Sequence, residues 1–158
     1  MKTNNISNIK DGDLLAWSDR SGLYANIIRF FTMSEYTHVG IAIIENGELY
    51  VVEAVAPEVR KIRVLDRMPF FHIPMNIEMT SELKEKANSF LGKKYSTIQA
   101  MLSWFNIYIN DDKWYCTELT YEFYKTAGLE FDKHLTPTKF IRQAINRSKI
   151  ILSIDSPS

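Results

Sequence analysis

Thr37-His38-Val39-Gly40-Ile41-Ala42-Ile43-Ile44-Glu45-Asn46-Gly47-Glu48-Leu49-Tyr50-Val51-Val52-Glu53-Ala54-Val55 is the stretch that decides the fold. Two β-rich runs flank Glu45-Asn46-Gly47-Glu48, and Asn-Gly is the pair that most readily takes the two positive φ angles of a tight hairpin turn. The turn fixes an antiparallel register, opposing Glu45 to Glu48, Ala42 to Val51, Gly40 to Glu53 and His38 to Val55. His38 and Glu53 then share one face as diagonal neighbours, with backbones about 7 to 8 Å apart. Gly40, directly opposite Glu53, leaves room between them. A glutamate within Tyr50-Val51-Val52-Glu53-Ala54-Val55 is costly to bury without a partner, and His38 is the nearest group that can satisfy it. The same pattern also fits a Glu53 that faces solvent, because antiparallel sheets often leave one face wet.

Outward from the hairpin, helices and further strands alternate. Asp11-Gly12-Asp13 is a turn signal before the short apolar strand Leu14-Leu15-Ala16-Trp17, and Leu23, Ile27, Phe30 and Phe31 fall near helical spacing between Ser21 and Thr32. Beyond the hairpin, Val59 to Val64 intersperses Arg60, Lys61 and Arg63 as an exposed strand does, and Phe70-Phe71-His72-Ile73-Pro74 predicts a strand ended by proline. Thr80 caps a helix through Leu91, and Ser96 to Phe105 makes a second amphipathic piece. Thr136-Pro137 opens a helix through about Ile145, followed by a last edge strand at Ile150-Ile151-Leu152. The class expected is α+β, an antiparallel sheet or small barrel packed against helices, in a single domain spanning residues 1–158.

The only cysteine lies in Trp114-Tyr115-Cys116-Thr117-Glu118-Leu119-Thr120-Tyr121. Asp111 and Asp112 precede it as candidate N-caps. Leu119, Phe123 and Ala127 recur at helical spacing until Gly128 ends the pattern, which puts Cys116 in the first turn. There the unpaired amides and the positive end of the helix dipole favour a thiolate over a thiol, the form a nucleophile needs. A lone cysteine also serves as a small buried hydrophobe, and both readings stand on this stretch.

Composition narrows the function classes. A hydrophobic share of 46% builds an ordinary core, and nineteen basic residues against nineteen acidic ones leave no net field to draw in nucleic acid or an anionic membrane. No run approaches the ~20 apolar residues of a membrane span, and the amino end lacks a secretory signal, so a cytoplasmic protein is expected. His38, His72 and His134 lie far apart with no second cysteine, which disfavours a metal site, and there is no glycine-rich phosphate loop, so no cofactor is expected. His72 and His134 read as surface or packing residues, and Glu118 as structural. The remaining constellation is Cys116 with His38 and Glu53, which a fold would have to assemble.

In motif order the chain resembles the circularly permuted NlpC-type members of the papain-like superfamily, a group of cell-wall or amide hydrolases. Gly12-Asp13-Leu14-Leu15 is similar to the family's opening strand, Thr37-His38-Val39-Gly40-Ile41 to its histidine strand and Val52-Glu53-Ala54 to its acidic strand. Gly92-Lys93-Lys94-Tyr95 and Tyr115-Cys116-Thr117-Glu118-Leu119 resemble its glycine-tyrosine and cysteine motifs. Thr117 stands where the family often has serine, and Ser96 where an acidic residue commonly follows the tyrosine. The resemblance implies Cys116 as nucleophile, His38 as general base and later acid, Glu53 as the group that holds His38, and Tyr95 near the oxyanion. It implies a peptide or acylated small molecule as substrate, with amide bonds in peptidoglycan-type peptides foremost. A lipid acyl hydrolase or acyltransferase, for which Trp104, Phe105 and Tyr108 speak, and a binding protein without turnover are the alternatives. Nothing in the sequence fixes an oligomeric state.

Overall fold

The Asn46-Gly47 turn closes a hairpin in the computed structural model, which describes residues 6–18, 36–96 and 114–156. Asn46 and Gly47 take φ of 52° and 81°, and the strands β2 (His38–Glu45) and β3 (Glu48–Ala54) pair from Glu45 with Glu48 to Ile41 with Val52. This is the register the turn dictates. The ladder between them ends there, and His38 pairs instead with Trp17 of β1 (Leu14–Trp17).

The remaining strands are β4 (Val59–Arg63), β5 (Phe70–Ile73) and β6 (Leu152–Ile154). Every pairing is antiparallel and the order is β4-β3-β2-β1-β5-β6. The sheet is open, with β4 and β6 at its edges, so among the described residues the barrel alternative gives way to a sheet. β6 falls two residues later than the expected edge strand. Pairing Leu152 with His72 and Ile154 with Phe70 buries Ile154 and leaves Ile150 exposed, which local hydrophobicity alone does not reveal.

Three helices belong to the described residues: α1 (Ser81–Ser89), α2 (Cys116–Thr126) and α3 (Pro137–Ser148). Thr80 caps α1 by accepting from the Leu83 amide at 3.2 Å, and Thr136 caps α3 by accepting from Lys139 at 3.4 Å. α3 outruns the expected end at Ile145 because its last turn is polar and carries no apolar stripe for periodicity to register. The helices expected at Ser21 to Thr32 and Ser96 to Phe105 lie, apart from Ser96, outside the described residues, as do Asp111 and Asp112. The N-cap of α2 is Tyr115, which makes no side-chain capping bond.

Alternation along the strands divides the core in two. Leu14, Ala16, Val39, Ile41, Ile43, Val52 and Ala54 face Leu119, Phe123, Phe140 and Ile141 of α2 and α3. Leu15, Trp17, Ala42, Val51, Val64 and Phe70 form a second cluster on the other face. β1 is thus buried on both faces, which explains its unbroken apolar run.

The opening Gly12-Asp13 turn is a junction. Asp13 accepts from the amides of Lys10 and Met75 at 2.8 and 2.9 Å and pairs with His72 Nε2 at 2.7 Å. His72 is therefore not an ordinary surface or packing residue. It is 1% exposed and hydrogen-bonded to Asp13, a role hidden from sequence because its partner lies 59 residues away. The Tyr124 hydroxyl donates to the Gly12 carbonyl at 3.0 Å and ties the last turns of α2 to this junction. Burial, with the nearby Asp13 charge, pushes that phenol well above its usual range.

Candidate active site

Anchoring the end of α2 at Gly12 sets where its beginning falls. Gly12 precedes β1, so the start of α2 lies toward the other end of that strand, where Trp17 pairs with His38. Cys116 is the first residue of α2 and His38 the first of β2, and the thiol is among the groups that raise the basicity of His38. Cys116 belongs to the helix-side core and His38 by alternation to the opposite face. They meet at the end of β2, where no further residue of the strand separates the faces.

His38 Nε2 lies 2.7 Å from Glu53 Oε2. The solvent-facing alternative for Glu53 fails, since it is fully buried. The space that brings the pair together is at Gly40. A Cβ there would stand 2.5 Å from Val51 Cγ2, 3.0 Å from the Val52 carbonyl oxygen and 3.3 Å from the Glu53 Cβ.

Two arginines complete the surroundings of Glu53. Arg60, opposite Glu53 in the β3–β4 ladder, donates to Oε1 from Nε at 2.9 Å and Nη2 at 2.8 Å. Arg67, in the 3-10 turn Val64–Arg67, places Nε 3.0 Å from Oε2. Its guanidinium stacks over Trp17 at 4.9 Å, and the Trp17 indole N–H donates to its backbone carbonyl at 2.7 Å. Sequence reading missed both. Arg60 looked like part of an exposed strand, and only the length of the Val55–Glu58 loop places it across from Glu53. Arg67 sits in a turn without periodicity.

The charges follow from these contacts. Burial alone would raise the Glu53 carboxyl, but the hydrogen bond and charge of His38, the charge of Arg67 and the hydrogen bond of Arg60 outweigh it and lower the group to about 2. Burial alone would lower His38. Hydrogen bonds to Cys116 and Glu53, together with their charges, reverse that and raise it to about 9. A protonated imidazole between two acceptors is the arrangement this favours.

The neighbourhood of Cys116 is polar on the helix side. Thr117 Oγ1 donates to the Leu135 carbonyl at 2.6 Å, and Thr120 Oγ1 to the carbonyls of Cys116 and Thr117 at 3.1 and 3.0 Å, which pins the first turn. Amides of a first helical turn lack intrahelical acceptors and so can bind an anion. Tyr95 is held beside this turn. It bridges Trp114, and its amide donates to the Pro57 carbonyl at 2.9 Å. Its neighbour Ser96 is buried and donates its amide to the Trp114 carbonyl at 2.9 Å. His134 is distant from this group in role, with burial and Lys133 lowering its basicity. Among the described residues no three His, Cys, Asp or Glu side chains are grouped to hold a metal ion.

An antiparallel sheet that presents a histidine to a cysteine at a helix start is the architecture of the papain-like class, here with the histidine strand preceding the cysteine helix in the chain. The chain belongs to the permuted papain-like amidase family, YaeF/YiiX, C92, which it matches over residues 8–149. It is 28% identical over 127 residues to the uncharacterized protein YiiX of Escherichia coli strain K12, covering 73% of this chain and 57% of that protein. The chain thus spans a little over half the length of that relative. The crystal structure of the metalloprotein yiiX from Escherichia coli O157:H7 superposes with a TM-score of 0.62 at 21% identity, covering 94% of this chain and 97% of the other, which shows a shared fold. No helix among the described residues is long and apolar enough to cross a membrane.

Proposed function

We propose that Cys116, His38 and Glu53 are the nucleophile, proton carrier and orienting carboxylate of an amide hydrolase. The observation that carries this is one imidazole hydrogen-bonded to the sealed Glu53 carboxylate at 2.7 Å, with the thiol at the start of α2 among the groups that raise its basicity. His38 takes the proton of the thiol as Cys116 becomes the nucleophile. Cys116 Sγ attacks the carbonyl carbon, and the tetrahedral oxyanion is received by the amides of the first turn of α2, with Tyr95 beside them. As the C–N bond breaks, His38 delivers its proton to the leaving amine and a thioester remains. Water then adds to the thioester while His38 takes its proton, and His38 returns that proton to the Cys116 sulfur as the acid departs. Glu53 holds the ring in place through both halves.

Membership of an amidase family supports amide bonds, and peptidoglycan-type peptides are the proposed substrate class. The residues that spoke for lipid, Trp104, Phe105 and Tyr108, lie outside the described residues, so no structural observation adds to that alternative. The test assays wild type, Cys116→Ala and His38→Ala, each shown to be folded, on short cell-wall peptides and on acyl esters. Amide turnover lost in both variants supports the reading. Amide turnover unaffected by Cys116→Ala overturns it, turnover of esters alone moves the substrate to the lipid class, and an inert wild type with an unreactive thiol leaves a binding protein.

A further inference from the structure

The charge around Glu53 exceeds what holding a histidine requires. One carboxylate faces three cationic groups: Oε2 hydrogen-bonds His38 Nε2 at 2.7 Å and lies 3.0 Å from Arg67 Nε as an ion-pair contact, while Oε1 accepts from both donors of Arg60. A carboxylate that only oriented His38 would need a single further donor. Two guanidiniums instead draw its electron density away from the imidazole and set positive charge beside an imidazolium. We infer that Arg60 and Arg67 are positioning residues that act through Glu53 to moderate the basicity of His38, so that the imidazolium releases its proton to a leaving group. This rests on the proposed role of His38 for its catalytic meaning, though not for the titration itself.

The two arginines divide the task. Arg67 is the better fixed, clamped between its stacking on Trp17 and the indole hydrogen bond to its own carbonyl, and Trp17 in turn lies 5.5 Å from the His38 ring. Its side chain is 21% exposed, against 44% for Arg60, so its charge is less screened by water. The described groups facing His38 are Cys116 from α2, Glu53 from β3 and Trp17 from β1, with Arg60 and Arg67 behind the carboxylate. Glu53, held far down by its partners, stays ionised through neutral and alkaline pH when one arginine is removed. Loss of an arginine therefore leaves a fuller negative charge on the imidazolium and one fewer repelling cation. Both changes raise His38. A purely structural arginine acts the other way, because a loosened Glu53 would weaken its bond to the ring and let His38 fall.

The sign is the test. NMR titration of the His38 ring, assigned by its disappearance in His38→Ala, is followed in wild type, Arg67→Met, Arg60→Gln and Arg67→Lys. The midpoint is expected to move to higher pH by on the order of one pH unit in Arg67→Met, by less in Arg60→Gln, and to stay near the wild-type value in Arg67→Lys. If Arg67→Met does not fold, Arg60→Gln, at the more exposed site, decides the direction. A midpoint that falls or does not move in the arginine variants overturns the inference. The alkaline limb of kcat/KM is expected to follow the same order. The titration needs no turnover, so an inactive protein would contradict the proposed function while leaving the inference to be judged on the NMR midpoints.

Discussion

Replacing Glu53 with glutamine keeps the shape of the side chain and removes its charge at a position where three cations converge. The cost can be worked from the carboxyl itself. A group held at about 2 when folded, against 4.5 as its ordinary value, binds its proton less tightly in the native state, and each unit corresponds to about 1.4 kcal/mol. The expected loss at neutral pH is on the order of 3 kcal/mol, at the low end of the ~3 to 5 kcal/mol typical of breaking a buried ion pair. Arg60 limits the cost, since it is exposed enough to turn toward water. Because the folded value is depressed, this stability is present above about pH 4.5 and is lost as pH falls through about 2. Urea unfolding of wild type and Glu53→Gln across that range should show a gap that is constant near neutrality and closes in acid. Turnover should fall by about 10 to 10³-fold, as expected for a supporting group. A variant as stable as wild type at neutral pH, or a gap that does not close in acid, would refute the reasoning.

Three further outcomes follow from the same geometry. Gly40→Ala should cost about 1 to 3 kcal/mol, because its Cβ would enter space held by Val51 and the Val52 carbonyl, and an unchanged melting temperature would contradict this. Asp13→Ala should destabilise by on the order of 3 kcal/mol in urea unfolding, since it strips His72 and two amides of their buried partner; a loss too small to measure would argue against the junction. His38, raised to about 9 from 6.5, contributes stability that is complete below about pH 6.5 and is lost as pH rises through about 9, so the stability gap between wild type and His38→Gln should narrow over that interval. A gap that widens instead would mean that the imidazole is buried neutral.

The hairpin was legible because a two-residue turn leaves its register no freedom, and the place of Cys116 in a helix's first turn because apolar periodicity leads to Gly128, although the cap is Tyr115 and not Asp111 or Asp112. Both features are local. What sequence could not supply was the second partner of each buried charge. His72 finds Asp13 across 59 residues, and Arg60 reaches Glu53 only through a loop whose length the residues at Pro57 do not dictate. Arg67 is set by a 3-10 turn packed on Trp17, a tertiary contact without a repeating pattern. The same limit applies to the sheet order. β5 joins β1 rather than β4, which depends on the chain crossing after the turn at Val64–Arg67 and not on the composition of Phe70–Ile73.

The central claim is that His38 activates Cys116 as a nucleophile. Its most direct measurement is the rate of iodoacetamide alkylation at Cys116, read by intact mass near pH 6, in wild type and in folded His38→Ala. The account predicts rapid single-site alkylation of wild type at a pH where an ordinary thiol is almost unreactive, and a loss of about tenfold or more in His38→Ala. A wild-type rate no greater than that of a free cysteine, or a rate unchanged by His38→Ala, would contradict it.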